Sequence, residues 1–135
     1  MIVVLDTSVL FAAFISRSGL CAAVVEHAIE TDSVCLSQFI LDELQRTLLA
    51  KSKLSAPTVV EVIDFLTSEA RLVAPAAISP TACRDPSDAA ILGTAVAAGA
   101  EVLVSGDKDL LVLERFDSIQ ILTPRQYHDR ITGVS

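Results

Sequence analysis

The sequence predicts an α/β domain: a parallel β-sheet with helices on both faces. Three observations carry that expectation. Ile2–Leu5 is a continuous aliphatic run of the kind found in strands buried on both faces. Further short β-branched runs alternate along the chain with longer segments of helical period, which is the order of a parallel sheet with crossover helices. Finally, 135 residues of which 52% are hydrophobic can bury one sizeable core without disulfides or a structural metal. The expected organisation is one domain over residues 1–135, with a short C-terminal tail at about 131–135.

The elements follow in order. After the Ile2–Leu5 strand, Ser8–Ile15 and Leu20–Glu30 read as helices separated by the polar turn at Ser16–Gly19. Val34–Leu36 is a second strand, and Ser37 can cap a helix over Gln38–Lys51. Phe39, Ile40, Leu44, Leu48 and Leu49 recur there at helical spacing. Ser55 with Pro57 starts another helix, because proline near the first turn sacrifices no needed hydrogen bond. Its apolar residues are Val59, Val60, Ile63, Phe65 and Leu66. Arg71–Ala74 reads as a strand before a loop around Pro75 and Pro80. Asp85-Pro86 opens a nearly all-apolar helix whose Ala89–Ala98 stretch is small enough for close packing, and Gly99 ends it. Glu101–Val104 is a buried strand, Lys108–Glu114 a short helix, Ile119–Leu122 the last strand, and Pro124 opens a final helix.

Composition excludes several classes. The chain is too apolar to be disordered. Ten Lys and Arg stand against 17 Asp and Glu, giving −7, so no global basic field holds nucleic acid by charge alone. The longest near-apolar run, Ala89–Ala100, is shorter than the ~20 residues of a membrane span. Asp6 interrupts the apolar N-terminus, and no positive charge leads it, against a signal peptide. Cys21, Cys35 and Cys83 form no CxxC pair, against a zinc site or a disulfide framework. A reducing, cytoplasmic setting is expected. With no Trp, one Tyr and five Phe, the core must be mostly aliphatic.

The chemistry lies in the acids. Asp6 ends the first strand, and Glu43 lies one turn into the helix after the second. Asp85 and Asp88 open the helix before the fourth strand, while Asp107 and Asp109 follow that strand. Open α/β sheets bind ligands beyond the carboxyl ends of their strands, so these side chains should share one edge. Each also has a structural reading. Asp85 and Asp88 around Pro86 resemble a capping box, Asp107 can cap the helix from Lys108, and Asp109 can face that helix's dipole. Asp42 reads as a solvated partner of Arg46. Asp6 is hardest to explain structurally. Taken together, carboxylates this close repel one another until protonation or a cation relieves them. Hard Mg2+ or Mn2+ suits an all-oxygen donor set. Such a site can lower the pKa of a bound water and cleave a phosphodiester without a protein nucleophile.

Four segments, Val3-Val4-Leu5-Asp6-Thr7-Ser8-Val9-Leu10, Leu41-Asp42-Glu43-Leu44, Asp85-Pro86-Ser87-Asp88-Ala89-Ala90-Ile91-Leu92 and Val104-Ser105-Gly106-Asp107-Lys108-Asp109-Leu110, resemble the PIN-domain family. The likeness is greatest to its bacterial and archaeal toxin–antitoxin ribonucleases, the VapC-like toxins, and is collinear from about residue 2 to 128. The resemblance implies a Rossmann-like three-layer fold and Mg2+- or Mn2+-dependent hydrolysis of single-stranded RNA. It implies Asp6, Glu43, Asp88 and Asp107 as metal ligands and catalytic acids, with Asp109 as a weaker addition and Asp85 as either ligand or cap. Thr7 and Ser8 match small polar residues that orient the first Asp. An antitoxin protein and a homodimer or higher oligomer are the implied partners, with no membrane.

Arg17, Arg46, Lys51 and Lys53 are the candidate RNA-binding bases, set against a helix C-terminus merely stabilised by positive charge. His27 and His128 lie far from the acids in sequence and read as surface or helix-end residues. Phe11, Phe14 and Ile15 suggest a partner face, with ordinary burial the equal alternative. Two other functions compete. A non-enzymatic PIN-like binding subunit would use the acids only as caps. A haloacid-dehalogenase-like phosphatase would need a second Asp two residues after Asp6, where Ser8 stands.

Overall fold

The structure is a computed structural model and describes residues 1–133. Its elements are β1 (Ile2–Leu5), α1 (Thr7–Ile15), α2 (Leu20–Thr31), β2 (Ser33–Leu36), α3 (Gln38–Lys51), α4 (Ala56–Glu69), β3 (Arg71–Leu72), α5 (Pro86–Ala98), β4 (Val102–Val104), α6 (Lys108–Leu111), β5 (Arg115–Phe116), β6 (Ile119–Leu122) and α7 (Pro124–Thr132). The expected α/β class holds. Among the described residues one six-stranded sheet has the order β3-β2-β1-β4-β6-β5, parallel except for the β5–β6 pair. The chain moves outward from β1 to β2 and β3, then returns to lay β4 on the other side of β1. That reversal is the topological switch point of an open α/β sheet, where a crevice forms at the strands' carboxyl ends.

The core confirms why these segments became strands and helices. Val3, Val4 and Leu5 of β1 and Leu103 and Val104 of β4 are fully buried, as central parallel strands demand. The core is aliphatic around one large aromatic, Tyr127 of α7, whose hydroxyl donates to Asp32 at the end of α2. α5 packs on β1, β2 and β4. Gly93 at its middle meets the 73–85 loop: a Cβ there would lie 2.2 Å from the Ala76 carbonyl oxygen. Ala76 N–H in turn donates to the Gly93 carbonyl at 3.0 Å. The small residues of this helix therefore serve a loop as well as the sheet.

Several expectations need correction. In α4 the buried face is Val59, Val62 and Leu66, while Val60 and Phe65 are 49% and 45% exposed. In α3, Leu49 is exposed and Phe39 half-buried. β3 is two residues long, and β4 starts at Val102, leaving Glu101 exposed. The helix expected over Lys108–Glu114 stops at Leu111, because Glu114 adopts φ +58° and feeds the hairpin strand β5, which the sequence reading missed. Asp42 accepts from Gln38 Nε2 at 2.8 Å, and among the described residues it forms no ion pair with Arg46. The three cysteines are free, as expected. His27 lies edge-on to Tyr127, with ring centroids 6.1 Å apart, and His128 of α7 is half-buried, its Nδ1 buried with no hydrogen-bond partner among the described residues, which departs from a surface placement. The tail expected at about 131–135 falls partly outside the described residues, and α7 itself reaches Thr132. Among the described residues no single helix is long and apolar enough to cross a membrane.

Candidate metal centre and the acidic cleft

A cleft of about 460 Å3 opens at the switch point, lined by Asp6, Thr7, Ser8, Glu43, Asp85, Asp88 and Asp107 together with Phe11, Thr47, Lys51, Ser87 and Ile91. The fold explains the convergence. β1 and β4 run parallel with Leu5 opposite Val104, so Asp6 and Ser105 leave the sheet side by side. Asp6 N–H still bonds the Val104 carbonyl at 2.9 Å, which fixes the backbone at the point where the carboxylate emerges.

Asp6 is 3% exposed and occupies the cap position of α1, yet its side chain makes no capping bond. It is not a helix cap. Instead its Oδ2 accepts from Ser105 Oγ at 2.6 Å and from Ser8 Oγ at 3.3 Å. Those two hydroxyls in turn accept from the backbone N–H groups of Asp107 at 2.9 Å and Gly106 at 3.3 Å. The first acid is thus lashed to the segment carrying the fourth. Ser8 Oγ reaches Asp6, whereas Thr7 Oγ1 is buried with no hydrogen-bond partner among the described residues. Ser105 is the stronger orienting group. The sequence reading overlooked it, although its place two residues before Asp107 and one after a β-strand was the available signal.

The capping readings also hold, without competing. Asp85 Oδ1 accepts from the N–H groups of Ser87 at 2.8 Å and Asp88 at 3.1 Å, a cap of the kind worth about 1 kcal/mol. Asp107 Oδ1 accepts from Asp109 N–H at 2.9 Å. Each carboxylate keeps a second oxygen. Asp88, Asp107 and Asp109 bring carboxylate oxygens within 4.8 Å of one another, and Asp6 and Glu43 line the cleft without closing to that mutual distance. Asp109 is exposed and lies outside the cleft lining, although its carboxylate is close to those of Asp88 and Asp107.

The crowding has an electrostatic signature. Burial, a hydrogen bond to Asp107 and the charges of Asp107, Asp85 and Asp6 push the Asp88 pKa up to about 7. Burial raises Asp6 as well, against the opposing bonds from Ser105, Thr7 N–H and Ser8. Near Asp88, the Cys83 thiol is also held above its ordinary range by burial and that acid's charge. The raised Asp88 and Asp6 carboxyls show that full ionisation of the cluster is disfavoured by burial and by neighbouring acids. The donors are oxygens, one buried hydroxyl is unsatisfied, and the like charges are uncompensated, so a hard divalent ion fits these residues.

The basic candidates divide. Lys51 lines the cleft, whereas Arg17 lines a separate groove of about 560 Å3 between α1, α2 and α4. Arg46 and Lys53 are exposed and line neither. The apolar residues of α1 divide too: Phe11 lines the acidic cleft, Phe14 the groove, and Ile15 is 49% exposed.

A model of the PIN domain matches residues 2–109. The chain belongs to the PIN-domain family. Its fold is similar to a crystal structure of VapBC2 from Rickettsia felis bound to a DNA fragment of its promoter, at 18% identity and a TM-score of 0.66, over 91% of this chain and 98% of that one. It is also similar to VapBC-1 from nontypeable Haemophilus influenzae, at 18% identity and a TM-score of 0.63, over 93% and 99% of the two chains. No curated protein sequence matches significantly. At that identity the solved structures speak for the fold, and the PIN-domain match speaks for the family.

Proposed function

We propose that this chain is a Mg2+- or Mn2+-dependent endoribonuclease that hydrolyses phosphodiester bonds of single-stranded RNA, acting in the cytoplasm as the toxin of a toxin–antitoxin pair. The observation that carries the reading is Asp6: a buried carboxylate without a side-chain capping bond, positioned by two hydroxyls beside a second set of crowded acids. Asp88, Asp107 and Asp109, with Asp6 and Glu43 across the cleft, would hold the ion. Bound there, it would supply charge for the developing phosphorane and lower the pKa of a bound water. The chain's own part is positional. Ser105 and Ser8 fix Asp6, Asp85 sets the start of α5 and hence Asp88, and Asp107 is fixed by its bond to Asp109 N–H. A divalent ion held by these acids would relieve their mutual repulsion and would attract phosphate locally, although the chain of −7 stays acidic as a whole.

A protein partner belongs to the same reading, since both named structural neighbours are VapBC assemblies. The groove between α1, α2 and α4, with Phe14, Val25, Ile29 and Phe65 among its lining, is the apolar face that an antitoxin or a second copy would cover. A binding subunit without catalysis is disfavoured by the uncapped Asp6. A phosphatase of the haloacid-dehalogenase type is disfavoured because Ser8 spends its hydroxyl on Asp6 where that chemistry needs a second acid.

The test is incubation of purified chain with single-stranded RNA and Mn2+, with and without EDTA, beside the Asp107→Asn variant. Cleavage should require the metal and vanish in the variant. Cleavage surviving in EDTA or in Asp107→Asn would overturn the proposal.

A further inference from the structure

The acidic cleft has a second wall that the metal reading leaves unused. Phe11 on α1 and Thr47 and Lys51 on α3 line the same space as the carboxylates. Phe11 is half-buried: it packs against the core and also borders a cleft whose lining is otherwise mostly polar. Lys51 is exposed, and among the described residues no carboxylate approaches its ammonium within 4.0 Å. Thr47 spends its hydroxyl hydrogen on the Glu43 carbonyl at 2.8 Å. Thr7 borders the cleft, but its hydroxyl is buried and unpartnered among the described residues and takes no part in this wall.

An aromatic ring and an unpaired ammonium beside acids poised for a cation match two parts of one nucleotide: a base and a phosphodiester. We infer that the Phe11–Lys51 wall is a nucleotide subsite, which seats the residue next to the scissile phosphate. Phe11 stacks on its base and Lys51 pairs with its flanking phosphodiester. The inference rests on the nuclease reading and deepens it, because it supplies a physical source for strand selectivity. A base inside a duplex has both faces covered by its neighbours and cannot stack on a side chain. A single strand can splay one base out, and stacking tolerates any base because each has a π-face. Phe11 on the cleft wall thus admits single strands and penalises paired ones.

The experiment uses the full chain and a labelled single-stranded oligoadenylate, intact or with one base removed at successive positions. Binding is read by fluorescence anisotropy in Ca2+ and cleavage by gel in Mn2+. Phe11→Ala should weaken binding by about 10-fold, with Phe11→Tyr restoring it and Phe11→Leu not. Removing the base at one position should weaken wild type by a similar factor and leave Phe11→Ala unchanged. Lys51→Gln should lower the slope of log affinity against log salt by roughly the share of one phosphate. Calorimetry with Mn2+ on Phe11→Ala and Phe11→Leu should give the wild-type heat, which separates loss of the subsite from loss of the fold. Equal affinity of wild type and Phe11→Ala, or an equal base-removal profile in both, would overturn the subsite. If wild type fails to cleave in Mn2+, the nuclease reading falls instead, and the anisotropy still decides whether Phe11 seats a base.

Discussion

Two hollows share helix α1 and are built on opposite principles. The acidic cleft lies where β1 and β4 end, so its positions are set by backbone that the parallel ladder holds at Leu5 and Val104. The groove between α1, α2 and α4 is assembled from side chains of those helices and of Arg17 in the turn between the first two, with Phe14 and the 45% exposed Phe65 in its lining. One hollow places charge against charge at fixed distance. The other leaves apolar area that a partner could cover without precise placement. Chemistry needs the first kind of site and association tolerates the second, which is why one small domain can separate them across a single helix.

The largest expected effect breaks the comparison at its charged end. Asp6→Asn removes a ligand charge without changing shape, and should lower Mn2+-dependent cleavage by more than about 100-fold, beyond what outer-shell changes cost. It should also abolish the calorimetric Mn2+ signal. Phe65→Ser, at the other hollow, should leave that Mn2+ heat unchanged. Equal loss of metal binding in both variants would mean the two hollows are one cooperative unit rather than two sites.

A smaller effect sharpens the same end. Ser105→Ala deletes the 2.6 Å bond to Asp6 and the acceptor for Asp107 N–H, but leaves every acid in place. Cleavage should fall by roughly 10- to 100-fold, the usual range for residues that orient a metal ligand. Ser105→Thr should recover most of it. A Ser105→Ala enzyme with wild-type kcat and Mn2+ affinity would show that the ladder alone positions Asp6.

How much of this was readable in the sequence follows the same division. Asp6 was legible because four aliphatic residues of strand deliver it, and nothing local explains a carboxylate at the end of a buried run. The collinear acid segments were legible because each sits at an element boundary. Ser105 was not, since its role depends on the register between β1 and β4, and register is a tertiary fact with no local signature. The β5–β6 hairpin was invisible for another reason: Glu114 and Asp117 take left-handed backbone where glycine would have advertised the turns. In α4, Val60 and Phe65 interleave with Val59, Val62 and Leu66, so two apolar stripes compete and composition cannot say which faces inward. Phe65 of the exposed pair borders the groove together with the buried Val62, and Val60 does not.

The smallest effect is a stability slope, and it tests whether the acids are held together against their own repulsion. In the folded, metal-free chain Asp88 stays protonated up to about pH 7, chiefly through burial and then through Asp107, while an unfolded Asp titrates near 3.9. Between those values the folded state binds the extra proton, so stability must fall as pH rises across roughly pH 4 to 7. Asp6, raised by burial, adds to the slope in the same sense. Asp88→Asn removes that ionisation. In EDTA the variant should match wild type at acid pH, and melt higher by roughly 3 °C or more on the alkaline side. Mn2+ should then raise the wild-type melting temperature at alkaline pH and barely move the variant, because the cation replaces a proton that Asn never gives up. A wild-type melting temperature that climbs with pH in EDTA would mean the cluster relaxes its charges without help. The acids would then be ordinary solvated carboxylates at helix starts, and only the apolar groove would still call for a partner.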